Sequence, residues 1–470
     1  NLSVAGALNA IKIAAQADNA TDTTPAASVY QDAGVTGVDG SNLPSISSAL
    51  DSAAVDSTAV DSSAKVQALV DAYKAILASA DGTGANTATA LTGAQYTTVG
   101  VTGVSGSAAP GNALNLLNSA VDAQARTGVD TVPELQAMAD AAAHVMAAAG
   151  GNAGQIATLT LDDLKALGIT SVTSANLSAV LAAIGSSTDG AVDTLPKLQD
   201  LVRSVVGTVT AALNTIQAAA EADSANDNTP ALTVYNDAGV TGITNLAAIN
   251  SALDSTTVNG IAVDTPAKVQ TLINAYNAIL ASADGSAGNT AIALTAAQYS
   301  TLGVTGLSGV AAPGNTLTLL NDAVDRKPNT GVDRVPEVQA LADAAARVIA
   351  AASGDAATVA MLSMNDLSAL GVTGVSTLSV GNQQRILDAI SATANDGTGV
   401  DTVAKLQALI VANLDVTPPA APVINTVASD NVINASEVGS IITGSNEAGA
   451  SVQLSLGGNT RNASVSGSNW

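Results

Sequence analysis

Cysteine and phenylalanine are both missing from this 470-residue chain, and histidine and tryptophan each occur once. Without cysteine there are no disulfides and no thiolate metal sites, so redox chemistry says nothing about compartment. The apolar residues make up 47% of the chain but include only six Tyr and one Trp as aromatics, so any core must be thin and filled by Ala, Val, Leu and Ile. The same shortage argues against an adhesive tip with an aromatic-lined pocket. Basic residues are scarce too. Fifteen Lys and Arg stand against 39 acids, and a net charge of −24 repels phosphate backbones and anionic membrane surfaces, which excludes nucleic acid as a partner. The acids are spread along the chain, as on a solvated surface.

No apolar run reaches the ~18 residues of a membrane span, and the N-terminus lacks a basic segment followed by a hydrophobic one, so neither membrane insertion nor a signal peptide is expected. Catalytic signatures are equally absent. His144 lies in an Ala-rich segment where the second half of the chain has Arg347, and a catalytic base is seldom interchangeable with arginine. The GVSGS at Gly103 lacks the glycine spacing of a nucleophile elbow. No Walker loop, dinucleotide fingerprint or zinc pair occurs, and the acidic stretches Asp223–Asp227 and Asp430–Glu437 do not fit EF-hand spacing. No enzymatic activity is expected.

What is present is repetition. Val29, Tyr30 and Asp32 recur as Val234, Tyr235 and Asp237, and Ala94, Gln95 and Tyr96 recur as Ala297, Gln298 and Tyr299. This long repeat divides again: GVTG begins at Gly34, Gly100, Gly239, Gly303 and Gly371, with GITS at Gly168. A fixed period of roughly 64 to 71 residues marks an array of modules that lean on their neighbours. The match of Ala7–Asp18 to Ala212–Asp223 places the first residues at the end of a long helix. The expected organisation is the end of a truncated module at 1–23, helical modules at 24–91, 92–159, 160–228, 229–294, 295–362 and 363–414, a Pro-rich linker at 415–422 and a β segment at 423–470.

Each module reads as three helices. The first is short, opened by Thr24-Pro25 or Thr229-Pro230 as N-cap and first turn, or by capping boxes of Thr92 with Gln95, Thr160 with Asp163, Thr295 with Gln298 and Ser363 with Asp366. The tetrad glycine closes it as a left-handed C-cap. Second helices are expected at Asn42–Ala53, Asn112–Asp122, Asn176–Ile184, Asn245–Ser255, Asn315–Asp325 and Val380–Ala392. Third helices are expected to start at the N-caps Asp61, Asp130, Asp193, Asp264, Asp333 and Asp401. Val66, Leu69, Val70, Tyr73, Ile76 and Leu77 form the apolar stripe of one of them, repeated from Val269 to Leu280. The six tyrosines read as core fillers whose hydroxyls reach the edge.

Helical periodicity ends at Leu414, and Thr417–Pro422 is proline-rich, after which Val423-Ile424, Ile441-Ile442 and the alternation Val452, Leu454, Leu456 read as strands with one buried face. The stretch from DNVINASE to GSNEAGASVQLSLGG resembles the first half of the immunoglobulin-like modules of giant bacterial surface adhesins of the biofilm-associated type. The resemblance is confined to about residues 417–470. It implies a secreted or cell-surface location and a stalk holding adhesive modules away from the cell. It also implies calcium at module junctions, for which Asp430 and Glu437 match the motif and Asp415 lies nearby in the linker.

The fold expected is therefore mainly α, an elongated array of tandem three-helix modules followed by a partial immunoglobulin-like β-sandwich. The expected role is a structural spacer for adhesion and biofilm formation, with no cofactor required; calcium is the one ion that the resemblance implies. Its partners would be neighbouring modules, copies of the same protein or other cell-surface components. The competing expectation is a subunit of a self-assembling surface layer or filament, its sandwich completed by strands of a neighbouring chain.

Overall fold

The structure, a computed structural model, describes residues 1–16, 24–83, 90–221, 229–286, 293–394, 396–414 and 420–470. Asp415, the Pro418-Pro419 pair and the Asp223–Asp227 stretch fall outside the described residues. The chain is mainly helical, with two small two-stranded sheets near the C-terminus. It forms two compact units, one of residues 1–311 and 320–343 and one of residues 312–319 and 344–470.

In the first unit the short first helices are Ala27–Asp32, Gly93–Thr98, Leu161–Ala166, Leu232–Asp237 and Ala296–Thr301. Thr92, Thr160 and Thr295 form capping boxes with Gln95, Asp163 and Gln298, as the sequence implies. The Thr-Pro starts differ. The N-caps are Ala26 and Ala231, which carry no side-chain acceptor, and the prolines lie one residue before them. At the second of them the reason is tertiary: the Pro230 carbonyl accepts from Asn250 Nδ2 at 3.2 Å, as the carbonyls of Leu91 and Leu294 do from Asn118 and Asn321. That bond holds the residue before the cap in extended backbone.

The tetrad glycines do terminate these helices. Gly34 and Gly100 sit at φ +78° and +103°, and the following Val35 and Val101 donate their N–H to the carbonyls of Tyr30 and Tyr96 at 2.9 and 3.0 Å. This is the six-to-one bond of a Schellman turn, and it buries the valine on the helix it closes. Gly168, Gly239 and Gly303 repeat it in the first unit and Gly371 in the second.

Second helices run Leu43–Leu50, Ala113–Ala123, Leu177–Gly185, Leu246–Leu253 and Thr316–Asp325, each close to its expected span. Third helices run Ser63–Ser79, Val132–Ala148, Leu195–Glu221, Pro266–Ser282 and Val335–Ala351. Their caps correct the sequence reading. Ser62, Thr131 and Thr265 are the N-caps, so Asp61, Asp130 and Asp264 stand one residue outside; Asp193 and Asp333 likewise lie two residues before the first helical residue. Several of these aspartates instead reach forward to a lysine one turn on, Asp61 to Lys65 at 3.0 Å, Asp193 to Lys197 at 2.8 Å and Asp264 to Lys268 at 2.8 Å.

The 27-residue helix Leu195–Glu221 serves two repeats. It packs on the second helix of repeat three, on the first helix of repeat four and on the Gly260–Val263 turn of repeat four, where Glu221 Oε1 accepts from Gly260 N at 2.8 Å. Val4–Ala14 packs on Ala27–Asp32 in the same way, so a fourth helix covers the start of each long repeat. From Ala7 to Val202 the buried side chains form one connected cluster, not separate cores.

The second unit holds Ala356–Met361, Met364–Ala369 with its Ser363–Asp366 capping box, Val380–Ser391 and Val403–Asn413. Thr402 caps the last of these, so Asp401 is displaced by one residue here as well. Beyond Ala420, Val423–Ile424 pairs antiparallel with Gly444–Ser445, and Gln453–Leu456 with Asn459–Asn462 across a Gly457-Gly458 turn in which both φ values are positive. Gly-Gly supplies the mirror-image turn that a two-residue hairpin needs. The expected buried face is not closed within this segment: Val452 is buried, but Leu456 is 74% and Ile441 84% exposed. Two two-stranded sheets present too little opposing surface to cover it.

Candidate functional site

The residues expected to bind calcium sit in local turns. Asp430 Oδ1 accepts from Val432 N at 2.9 Å and Glu437 Oε2 from Asn434 N at 3.1 Å, both in exposed backbone that includes positive φ at Ala428, Ser429 and Asn431. Asp415 lies outside the described residues. No group of three or more His, Cys, Asp or Glu side chains that could hold a metal ion occurs among the described residues. His144 Nδ1 lies 3.1 Å from Asp163 Oδ1, the acid of a capping box, and Arg347 pairs with Asp366 at 2.8 Å at the equivalent place. Either side chain supplies a donor to the cap of the following helix. Burial pushes the Asp163 carboxyl up, but hydrogen bonds from Thr160 and His144 outweigh it and hold the group below the usual range.

The polar groups that recur in a fixed geometry are at the junctions between repeats. Ser48, on the second helix of repeat one, accepts the N–H of Val132 at the start of the third helix of repeat two, at 2.9 Å. Ser119 does the same for Leu195 at 3.0 Å and Ser251 for Val335 at 2.9 Å. Each satisfies one of the N–H groups that a helix start leaves without a partner. Asp193, 1% exposed, adds a second tie by accepting from Gly111 N at 2.8 Å. Burial raises its pKa, yet Lys197, the Gly111 N–H and Asn115 together bring it below the ordinary value, so it stays ionised. In the second unit Asp401 accepts from Gly314 N at 2.8 Å and pairs with Lys405 at 2.6 Å.

A glutamine clamp in repeats one, two, four, five and six escaped the sequence reading. Gln136 Oε1 accepts from Thr102 N at 2.8 Å and its Nε2 donates to Thr102 O at 3.3 Å, so one side chain holds both backbone groups of the tetrad threonine. Gln67, Gln270, Gln339 and Gln407 do the same for Thr36, Thr241, Thr305 and Thr373. The signal was available as a glutamine directly after a buried apolar residue early in each of these third helices, Val66, Leu135, Val269, Val338 and Leu406.

Open grooves of roughly 680 and 570 Å³ lie at two equivalent junctions, one lined by Ser48, Asp51, Gly100, Gln136 and Asp140 and the other by Ser251, Asp254, Gly303, Gln339 and Asp343. Their serine and glutamine groups already serve the junction bonds and clamps, so the grooves offer structural polar groups, not a reactive constellation. No described helix is long and apolar enough to cross a membrane. Comparison with family models, with curated proteins and with solved structures found no match.

Proposed function

We propose that this chain is a spacer segment of a large repetitive bacterial surface protein, in which copied helical repeats provide length and hold neighbouring modules apart. The observation that carries the reading is the recurring junction bond of Ser48, Ser119 and Ser251, by which repeats one, two and four each complete a helix start of the repeat that follows. A protein selected for reactivity diversifies one site, whereas here the shared features are caps, clamps and junction ties. The C-terminal resemblance to adhesin modules supports a secreted or cell-surface location and a role in adhesion and biofilm formation. Antibody labelling of intact producing cells tests the location: accessible epitopes support it, and labelling only after lysis contradicts it.

The self-assembling surface-layer or filament subunit is kept as a second reading because Val438 and Ile441 are 81% and 84% exposed beside a two-stranded sheet. Sedimentation over a wide concentration range separates the two. A spacer stays monomeric, and a lattice or filament subunit polymerises.

A further inference from the structure

One carboxylate pair, Asp284 with Asp325, is not used by any cap, clamp or junction bond described above. Asp325, at the end of the second helix of repeat five, is 1% exposed, and its Oδ2 has no hydrogen-bond donor. Buried carboxylate oxygens are nearly always satisfied, so an orphan oxygen needs a proton or a cation. Asp284 stands in the turn that follows the third helix of repeat four. Ser286 N donates to its Oδ1 at 2.7 Å, and Gly285 N donates to the Asp325 carbonyl at 3.1 Å, which ties the two acidic residues together. Burial, then the charges of Asp284 and Asp322, push the Asp325 carboxyl above its ordinary range, with Arg326 opposing. Arg326 is engaged by Asp322, to which its Nε donates at 3.1 Å.

The first long repeat has aspartates at the same places, Asp81 and Asp122, and Gly82 N donates to Gln124 O at 3.0 Å, so the same two segments are joined. Neither Asp122 oxygen is both buried and without a partner, so the orphan oxygen belongs to the second long repeat alone.

We propose that Asp284 with Asp325 holds a divalent cation, with calcium as the ion. Two carboxylates supply the charged ligands, and backbone carbonyls and water complete an oxygen shell of the irregular kind that calcium accepts more readily than magnesium. The ion would cancel the repulsion within the pair and give the buried Asp325 oxygen its partner. It would also tie the end of one repeat's third helix to the second helix of the next repeat. With two carboxylates per site, affinities of about 10⁻⁴ to 10⁻³ M are expected.

Calcium titration of the full chain by calorimetry at pH 7 and physiological salt tests this, with Asp325→Asn and Asp284→Asn alongside. Asp325→Asn should lower the number of bound ions by one, and calcium should raise the melting temperature of the parent by about 2–4 °C but not that of the variant. Asp284→Asn, at an exposed position, should give the same loss without altering a buried group. An unchanged stoichiometry in both variants overturns the proposal. So does a melting temperature that rises on acidification but not with calcium, which assigns the buried oxygen to a proton.

Discussion

At the residue scale, the tyrosines show how a duplicated pattern is kept or lost. All six are fully buried, and five of their hydroxyls bond inside the protein instead of reaching the edge. Tyr96, Tyr235 and Tyr299 donate to Asn118, Asn250 and Asn321 at 2.7 to 2.9 Å, whereas Tyr30 faces Ser47's position in the first copy and its hydroxyl has no partner. Ser47→Asn should supply the missing acceptor and stabilise the protein by about 1 kcal/mol in urea denaturation. Tyr96→Phe should cost about 1–3 kcal/mol because it strips a donor from buried Asn118, and Tyr30→Phe should cost little. Equal losses from the two would remove the distinction. Burial holds every tyrosine pKa above its ordinary value. A raised folded-state pKa gives stability that is intact below the unfolded value near 10 and declines as pH rises past it. Phenolate absorbance should therefore appear in one cooperative unfolding step above about pH 10, and a gradual titration in the folded state would refute this.

At the scale of the element, the signals legible in the sequence were those that act within one turn. The tetrad needs only the φ of its glycine and the carbonyl five residues before its valine, so the C-cap could be read from GVTG alone. The third-helix caps slipped by one because Asp61-Ser62, Asp130-Thr131, Asp264-Thr265 and Asp401-Thr402 each offer two good N-cap residues in a row. Tertiary partners chose the second and turned the aspartates toward lysines or a neighbouring loop. The glutamine clamps were missed for the same reason, since their partners lie about thirty residues away in sequence. Two helices start on Ala26 and Ala231, both exposed and without a capping side chain. Ala26→Thr should therefore stabilise by about 1 kcal/mol, measured by thermal denaturation, and a loss would show that the extended Pro-Ala backbone cannot present the hydroxyl. Gly100→Ala should cost about 1–3 kcal/mol, because φ is +103° and an added methyl would run into Ser52.

Across the whole molecule, the period of the sequence located nearly every helix, but not how the cores connect. One buried cluster runs from Ala7 to Val202 because the second helix of one repeat packs on the third helix of the next, Leu43–Leu50 on Val132–Ala148 and Ala113–Ala123 on Leu195–Glu221, and because short Ala-rich helices cannot cover themselves. Repeats so joined should unfold together, and Ser119→Ala should lower the stability of repeats two and three alike, as read by hydrogen exchange. Loss of protection confined to the third helix of repeat three would show the tie to be local. The β segment is the opposite case: its alternation of apolar residues was legible, yet Leu456 and Ile441 remain exposed because burial depends on an opposing surface that two residue-pairs of sheet do not provide. The central claim, that the copied repeats serve length, is tested most directly by small-angle scattering of the monomer in solution. A spacer predicts a radius of gyration well above the ~23 Å of a compact chain of this size, whereas a value close to that figure would contradict it.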